Sequence, residues 1–151
     1  MSFNSLYDKI DKQWVEGAIM QNNIGDKNKD ARLISLKENL STDQNVSFAL
    51  IFGSYAGTKQ ERARDLDVAV YFMVPPQGMD LLDLINRLSD LTGKEVDLVV
   101  LNSASAFLRH QVMKQGVLLI MKDRNVYRRF REKTISDYDE YKYVSGMNVY
   151  D

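Results

Sequence analysis

A stretch of fifteen residues, 53–67, lies between two strand-like runs and constrains the fold of this chain more than any other feature. The run 46–52 leads into it and the run 68–73 leads out of it. Both runs are rich in the β-branched and aromatic residues that favour strands. A Gly-Ser pair opens the stretch and an Asp-Leu-Asp sequence closes it. The pattern predicts a strand, a turn, a short helix or loop, and a second strand that starts with two aspartates.

Both ends of this stretch carry groups suited to a phosphate or a metal ion. Gly53 lets a ligand approach the backbone, and Ser54 lies at a predicted helix start, where free N–H groups and a hydroxyl hold a phosphate. Asp65 and Asp67 are two residues apart on a strand, so their side chains share one face. Two such carboxylates repel each other unless a cation lies between them, and Mg²⁺ suits carboxylates together with substrate phosphates. Each motif taken singly also has a common explanation without a functional role. Gly-Ser is a frequent turn dipeptide, and Asp-x-Asp is often a solvated strand edge.

A third carboxylate, Asp97, lies in the predicted strand 95–101. Its neighbours Val96 and Leu98 have the apolar character of residues buried on both sides of a sheet. A lone carboxylate among them is costly unless it is paired or bound to a cation. The alternative is an aspartate at an exposed strand start.

Gly53-Ser54, ten residues, Asp65-x-Asp67 and a later acidic residue at Asp97 together resemble the signature of the polymerase-β-like nucleotidyltransferase superfamily. The small size is similar to that of its minimal nucleotidyltransferase (MNT) domains. The resemblance covers about residues 30–145. It implies an α+β (α/β) fold, a mixed four-stranded sheet flanked by helices.

The resemblance also implies a site. Asp65, Asp67 and Asp97 would be the catalytic and metal-binding residues for Mg²⁺ or Mn²⁺. Asp97 would help to hold a second metal or act as the base on the acceptor hydroxyl. Gly53 and Ser54 would bind the nucleotide phosphates.

The function implied by the resemblance is transfer of AMP from ATP to a hydroxyl group. Small MNT proteins often act as antitoxins that modify a tyrosine of a HEPN-domain RNase toxin. The resemblance therefore implies such a toxin as the partner, and an oligomer of the toxin with this chain. Transfer to a small molecule, as in aminoglycoside nucleotidyltransferases, is one alternative. A non-catalytic module that neutralises a partner by contact is another. It stays open because Gly57-Thr58 replaces the usual Arg-Gly, with Lys59, Arg62 or Arg64 as possible substitutes.

Composition narrows the classes of protein that remain. The 151 residues predict a single domain, 1–151, with an N-terminal helical extension at 1–29 and a core at 30–145. The net charge of −1 does not favour direct nucleic-acid binding. The absence of cysteine argues against disulfides and, with a single histidine, against a zinc site of the usual ligands. No apolar run is long enough to cross a membrane, and a cytoplasmic location is expected.

Hydrophobic periodicity places the remaining elements. Asp30 is predicted to cap a helix with Leu33, Leu36 and Leu40 on one face, and either Asn102 or Ser103 is predicted to cap a helix that ends at Gly116. Helices are also expected at 3–21, at 79–91 with a leucine-rich face that includes Leu91, and, as one or two helices with Ser136 as a second start, at 123–144. A fourth short strand is expected at 117–121.

Three further features are candidates for function. His110 is predicted to have a surface or supporting role. The basic residues between Arg124 and Lys133 predict either a solvated helix face or a surface for an acidic partner. The tyrosines that follow predict either an interface or packing against the domain, with equal weight; they are Tyr138, Tyr141, Tyr143 and Tyr150.

Overall fold

The computed structural model describes residues 27–53 and 65–146, with side chains from residue 31 onward. The helices are α1 (Lys27–Thr42), α2 (Met79–Thr92), α3 (Ala106–Gln115) and α4 (Arg124–Val144). The strands are β1 (Val46–Phe52), β2 (Asp65–Phe72), β3 (Glu95–Val100) and β4 (Val117–Met121).

The four strands form one mixed sheet in the order β3-β2-β1-β4. β1 pairs antiparallel with both β2 and β4, whereas β2 and β3 run parallel. The parallel pair needs a crossover, and α2 supplies it. The mixed four-stranded sheet with flanking helices predicted from the sequence is confirmed.

Helices cover both faces of the sheet, so the core has two halves. On one face, α1 and α2 bury Leu36, Leu40, Leu84 and Leu88 against the sheet. On the other face, α3 and α4 contribute Val112, Met113, Tyr127 and Phe130. Because the central strands are covered on both sides, β1 is apolar at almost every position rather than alternating.

An irregularity in β1 decides which of its side chains reach each half of the core. The pairing with β2 shifts between Val46 and Phe48, so these two residues face opposite halves although they are two apart. Beyond the shift the strand alternates regularly, with Ala49 and Ile51 on one face and Leu50 on the other.

Three predicted helix starts are wrong, and the first is at Asp30. α1 is already helical at Lys27, so Asp30 lies inside the helix and does not precede it. The run from Lys27 to Lys29 contains no glycine or proline that would stop the helix from extending over it. The leucines at 36 and 40 are nevertheless fully buried, as their spacing predicted.

The N-cap of α3 is Ser105, not Asn102 or Ser103. The Ser105 side chain accepts a hydrogen bond from the Leu108 N–H at 3.1 Å. Asn102 is committed elsewhere, because its amide oxygen accepts from the Phe72 N–H at 2.9 Å and its amide nitrogen donates to the Phe72 carbonyl at 2.8 Å. Asn102 therefore extends the β2–β3 pairing by a side chain. The predicted end at Gly116 is confirmed.

α4 is one continuous helix, so the second start predicted at Ser136 is wrong. The helix is capped by Asp123, which accepts from the N–H groups of Asn125 and Val126. No glycine or proline interrupts it, and its second half packs on α3. Leu91, predicted on the buried face of α2, is 43% exposed. The buried residues of this helix are Leu84, Leu88 and Thr92, each four positions apart, so Leu91 lies beside the buried face and not on it.

Some expectations fall outside the described part of the chain. They are the helix at 3–21 and the end of the chain from 147, including Tyr150. Among the residues that are described, no helix is both long and apolar enough to cross a membrane.

Candidate active site

The sheet brings the predicted carboxylates to adjacent positions on two neighbouring strands. Asp67 of β2 lies directly opposite Asp97 of β3 in the parallel register, and Asp65 lies opposite Glu95. Register partners on adjacent strands point to the same face, as do residues two apart on one strand. Asp65, Asp67 and Asp97 therefore share one face at the start of the parallel pair.

Gly53, which directly follows β1, lies beside these carboxylates and completes what we call the carboxylate corner. Phe52, the last residue of β1, is the register partner of Asp67, and Gly53 follows it with φ at +72°. A Cβ atom at this position would overlap Oδ2 of Asp67. Two features therefore each require a glycine at this position. The backbone is left-handed, and the Asp67 carboxylate occupies the space that a side chain would need. Ser54 lies outside the described residues.

The three carboxylates interact electrostatically. The pKa of Asp67 is raised above its usual value, first by burial, then by the charges of Asp97 and Asp65, and finally by a side-chain hydrogen bond with Asp97. A raised pKa of this origin indicates clustered negative charge that no cation among the described residues balances. A hard divalent cation, which prefers carboxylate oxygens, fits this donor set.

The carboxylates do not yet surround a common point. Within residues 27–53 and 65–146, no group of three Asp, Glu, His or Cys side chains is arranged closely enough to hold a metal ion. Asp67 and Asp97 interact through a side-chain hydrogen bond as well as through charge, whereas Asp65 acts on Asp67 only through its charge.

The expectation that Asp97 lies among residues buried on both sides is wrong. β3 is an edge strand, Asp97 is exposed, and of its neighbours only Val96 is fully buried. The energetic cost of a buried carboxylate therefore does not explain why an aspartate lies at this position. Its place opposite Asp67 in the parallel register explains it.

Glu95 is a carboxylate at this corner that the motif did not include. It is exposed, lies two residues before Asp97, and faces Asp65 across the parallel pair. The signal was present in the sequence, because the spacing of Glu95 and Asp97 repeats that of Asp65 and Asp67.

The other candidate residues lie apart from this corner, on α3 and α4. His110 stacks on Tyr138 with ring centroids 3.7 Å apart and planes 10° from parallel. Burial, followed by the charges of Lys114 and Lys142, lowers the pKa of His110. The His110 ring is therefore part of the packing between two helices.

Some members of the tyrosine group and of the basic cluster are packed against the domain, and others are exposed to solvent. Tyr138 packs back on the domain against His110, whereas Tyr143 is 80% exposed. Tyr141 is 39% exposed, with its ring centroid 6.1 Å from that of Phe107, which is also exposed. Arg131 is buried, with its guanidinium 5.9 Å from the centre of the Tyr127 ring, so the basic cluster is not uniformly a solvated face.

A mixed sheet that sets a glycine turn against paired aspartates on adjacent strands defines the class of polymerase-β-like nucleotidyltransferases. Residues 35–125 match the sequence profile of the family described as "Polymerase beta, Nucleotidyltransferase". The chain belongs to this family.

Curated relatives with similar sequences are named as adenylyltransferases. A protein of Methanocaldococcus jannaschii named "Putative protein adenylyltransferase MJ0435" is 37% identical over 75 residues, which is 48% of this chain and 77% of the relative. The protein adenylyltransferase MntA of Shewanella oneidensis is 37% identical over 90 residues, covering 58% of this chain and 63% of MntA.

Solved structures with the same fold come from toxin–antitoxin complexes. One, described as a toxin–antitoxin with AMP-PNP, aligns with a TM-score of 0.66 and 29% identity, covering 78% of this chain and 93% of its own. Another contains the tri-AMPylated HEPN toxin of Shewanella oneidensis in complex with an MNT antitoxin. It aligns with a TM-score of 0.62 and 27% identity, covering 81% and 92%.

Proposed function

We propose that this protein is a protein adenylyltransferase that transfers AMP from ATP to a tyrosine hydroxyl of a HEPN-domain RNase toxin and so acts as its antitoxin. The observation that carries the proposal is the corner where Gly53 meets Asp67, with Asp97 beside it in register. The names of the relatives support the same chemistry.

The carboxylates have separate roles in the proposed reaction. Asp65 and Asp67 would hold Mg²⁺ or Mn²⁺, which when bound neutralises the phosphate oxygens and orients them for in-line attack. Asp97 is exposed on the edge strand and is therefore accessible to an incoming acceptor hydroxyl. We assign it the role of accepting the hydroxyl proton, with support of a second metal as the alternative.

The bonds in this reaction balance without a further reactant. The acceptor oxygen forms a bond to the α-phosphorus of ATP, and the bond from that phosphorus to the bridging oxygen breaks. Pyrophosphate leaves and the hydroxyl proton passes to Asp97. Gly53 and Ser54 would bind the departing phosphates.

The proposed cellular compartment follows from where the substrates are found. ATP and an RNase toxin are both found in the cytoplasm, which is where we propose that the protein acts. We further propose that residues 30–145 form the catalytic unit of a single domain, to which 1–29 are an extension.

A paired measurement on the protein and its co-expressed partner tests the proposal. Transfer of label from α-labelled ATP and inhibition of the partner RNase are measured for the wild type, Asp65→Asn and Asp67→Asn. Loss of both transfer and inhibition in the variants supports catalysis. Asp90→Asn, an exposed aspartate on α2, is the matched control and should retain both.

Three outcomes would contradict the proposal. If the wild type transfers no label, or if both aspartate variants inhibit the partner fully, neutralisation by contact replaces catalysis. If label appears on a small molecule and not on the partner, the acceptor is of the aminoglycoside type.

A further inference from the structure

A pocket of about 640 Å³ opens at the end of the sheet opposite the carboxylate corner. Its walls include Tyr71, Phe72 and Met73, at the end of β2, whereas Asp67 lies near the start of that strand. At roughly 3.3 Å per residue, Asp67 and Phe72 are about 17 Å apart. The pocket is therefore separate from the proposed active site.

The floor of this pocket is aromatic and its mouth is basic. The rings of Tyr71 and Phe130 lie 5.3 Å apart and, with Val126, form an apolar surface. Three cations with exposed side chains, Lys122, Arg129 and Lys133, stand around it. Arg129 and Lys133 are four residues apart on α4, so they lie on the same face of the helix.

The acidic groups nearby leave this positive charge largely unbalanced. Asp123 is on the wall, but its carboxylate accepts hydrogen bonds from the N-terminal N–H groups of α4. Asp137 is off the wall and is bound at 2.9 Å by Arg109, which also lines the pocket. The same carboxylate is 3.2 Å from Lys133, whose side chain is 72% exposed, so that pair is weak. Within the described residues, Arg129 has no ion pair.

We propose that this pocket is a second, metal-independent binding site for a small organic phosphate of mononucleotide size. Its volume lies in the range of small-molecule sites, which are mostly apolar with a few polar groups that fix orientation. Arg129 and Lys133 would hold the phosphate by charge-assisted hydrogen bonds, and the aromatic floor would pack against a planar base. This site does not depend on the proposed adenylyl transfer.

Binding of AMP to the full chain in EDTA tests the proposal, because removal of divalent cations suppresses binding at the carboxylate corner. AMP, adenosine and inorganic phosphate are titrated separately by calorimetry. AMP should bind more tightly than either component, since it uses both the basic mouth and the aromatic floor.

Three paired variants locate the site. Arg129→Gln with Lys133→Gln should weaken AMP binding by about tenfold or more, as expected from the loss of two charge-assisted contacts. Both positions are exposed on a helix, and Asp137 keeps Arg109 as its partner, so the fold should survive. Lys37→Gln with Lys114→Gln makes the same change in net charge away from the pocket and should leave binding unchanged, as should Asp65→Asn with Asp67→Asn.

The proposal is overturned if AMP shows no saturable binding, or if the Arg129 and Lys133 variant binds AMP as the wild type does. Loss of AMP binding in the Asp65 and Asp67 variant would move the site to the carboxylate corner. Equal binding of phosphate and AMP would overturn the assignment of a planar organic ligand.

Discussion

Gly53 and Asp67 are in such close contact that each restricts the other. The carboxylate occupies the position that any larger residue at 53 would need for its Cβ atom, and the positive φ at 53 independently disfavours such a residue. A glycine at the end of β1 therefore sets where the Asp67 carboxylate lies, and through it the geometry of any metal bound there.

Gly53→Ala should strongly lower the rate of adenylyl transfer. The left-handed backbone adds strain of about 1–2 kcal/mol, and displacement of Asp67 should lower the transfer rate by ~100-fold. Gly93→Ala is the matched control, because Gly93 also has a positive φ of +67° but no atom within 4 Å of the added Cβ. It should lose comparable stability, measured by urea unfolding, and keep its transfer rate. Equal transfer by both variants would contradict the role assigned to this contact.

Asp67→Asn should remove a pH dependence of stability. The folded state has the higher pKa, so the unfolded carboxyl loses its proton first as the pH rises above 3.8. The free energy of unfolding of the metal-free wild type should therefore fall across this window relative to Asp67→Asn and then stay lower. Urea unfolding in EDTA between about pH 4 and pH 7 measures the difference. A difference between the wild type and Asp67→Asn that stays constant with pH would show that the Asp67 pKa is not perturbed.

The sequence could predict which carboxylates meet, although not for every correct reason. The spacing of Asp65 and Asp67 was enough to place both on one face. Asp97 was chosen from the apparent cost of burial and from its match to the third acidic position of the family. It is exposed, so the parallel register opposite Asp67, and not the cost of burial, explains its position. Glu95 was missed because the motif includes only one acidic residue on the later strand, although the spacing of Glu95 and Asp97 was visible in the sequence.

At the scale of secondary-structure elements, α3 and α4 form a tight junction through ring and ion contacts. His110 stacks on Tyr138, and Arg109 binds Asp137 one residue earlier on α4. Arg109 also donates to the Ala104 carbonyl at 3.1 Å, which ties the start of α3 to the same network. Tyr138, one of the tyrosines predicted either as an interface or as packing against the domain, is thereby used inside the domain.

Tyr138→Ala should destabilise the domain, whereas Tyr143→Ala should not. Removal of the stacked ring should cost about 1–3 kcal/mol, while substitution of the exposed tyrosine should stay within about 0.5 kcal/mol. Thermal unfolding gives the two values. Loss of Tyr138 should also raise the pKa of His110 toward its usual value, because burial is the main cause that lowers it, and NMR titration can follow that change. If the two variants are equally stable, Tyr138 does not stabilise the packing between α3 and α4.

Element boundaries were predictable where a breaker residue marks them. Gly93 and Gly116 end α2 and α3 as expected. The errors at Asp30, Asn102 and Ser136 share one cause, since each has a side chain that can cap a helix but is used or placed differently in the folded chain. Asn102 shows this most clearly, because its amide pairs with the backbone of a residue thirty positions away.

At the scale of the whole molecule, nucleotide with metal should stabilise the fold. Ligand at 100 times its dissociation constant adds about 2.7 kcal/mol to the native state, which corresponds to roughly 5–10 °C in Tm for a chain of this size. We therefore expect Mg²⁺ or Mn²⁺ with ATP to raise Tm in a thermal-shift assay, and EDTA to remove the metal-dependent part of that rise. The metal-dependent part should also be absent in Asp65→Asn with Asp67→Asn. A rise that is the same with and without metal would contradict the proposed metal site.

The position of β1 in the sheet also has a consequence for synthesis on the ribosome. β1 is an inner strand, and its two partners leave the exit tunnel at different times, β2 soon after it and β4 only when residues 117–121 emerge. Until then one edge of the apolar segment Val46–Phe52 lacks its partner, and unpaired edges of this kind promote aggregation. The carboxylate corner, which needs only the first three strands, can therefore assemble on a nascent chain that still depends on slow translation or a chaperone to stay monomeric.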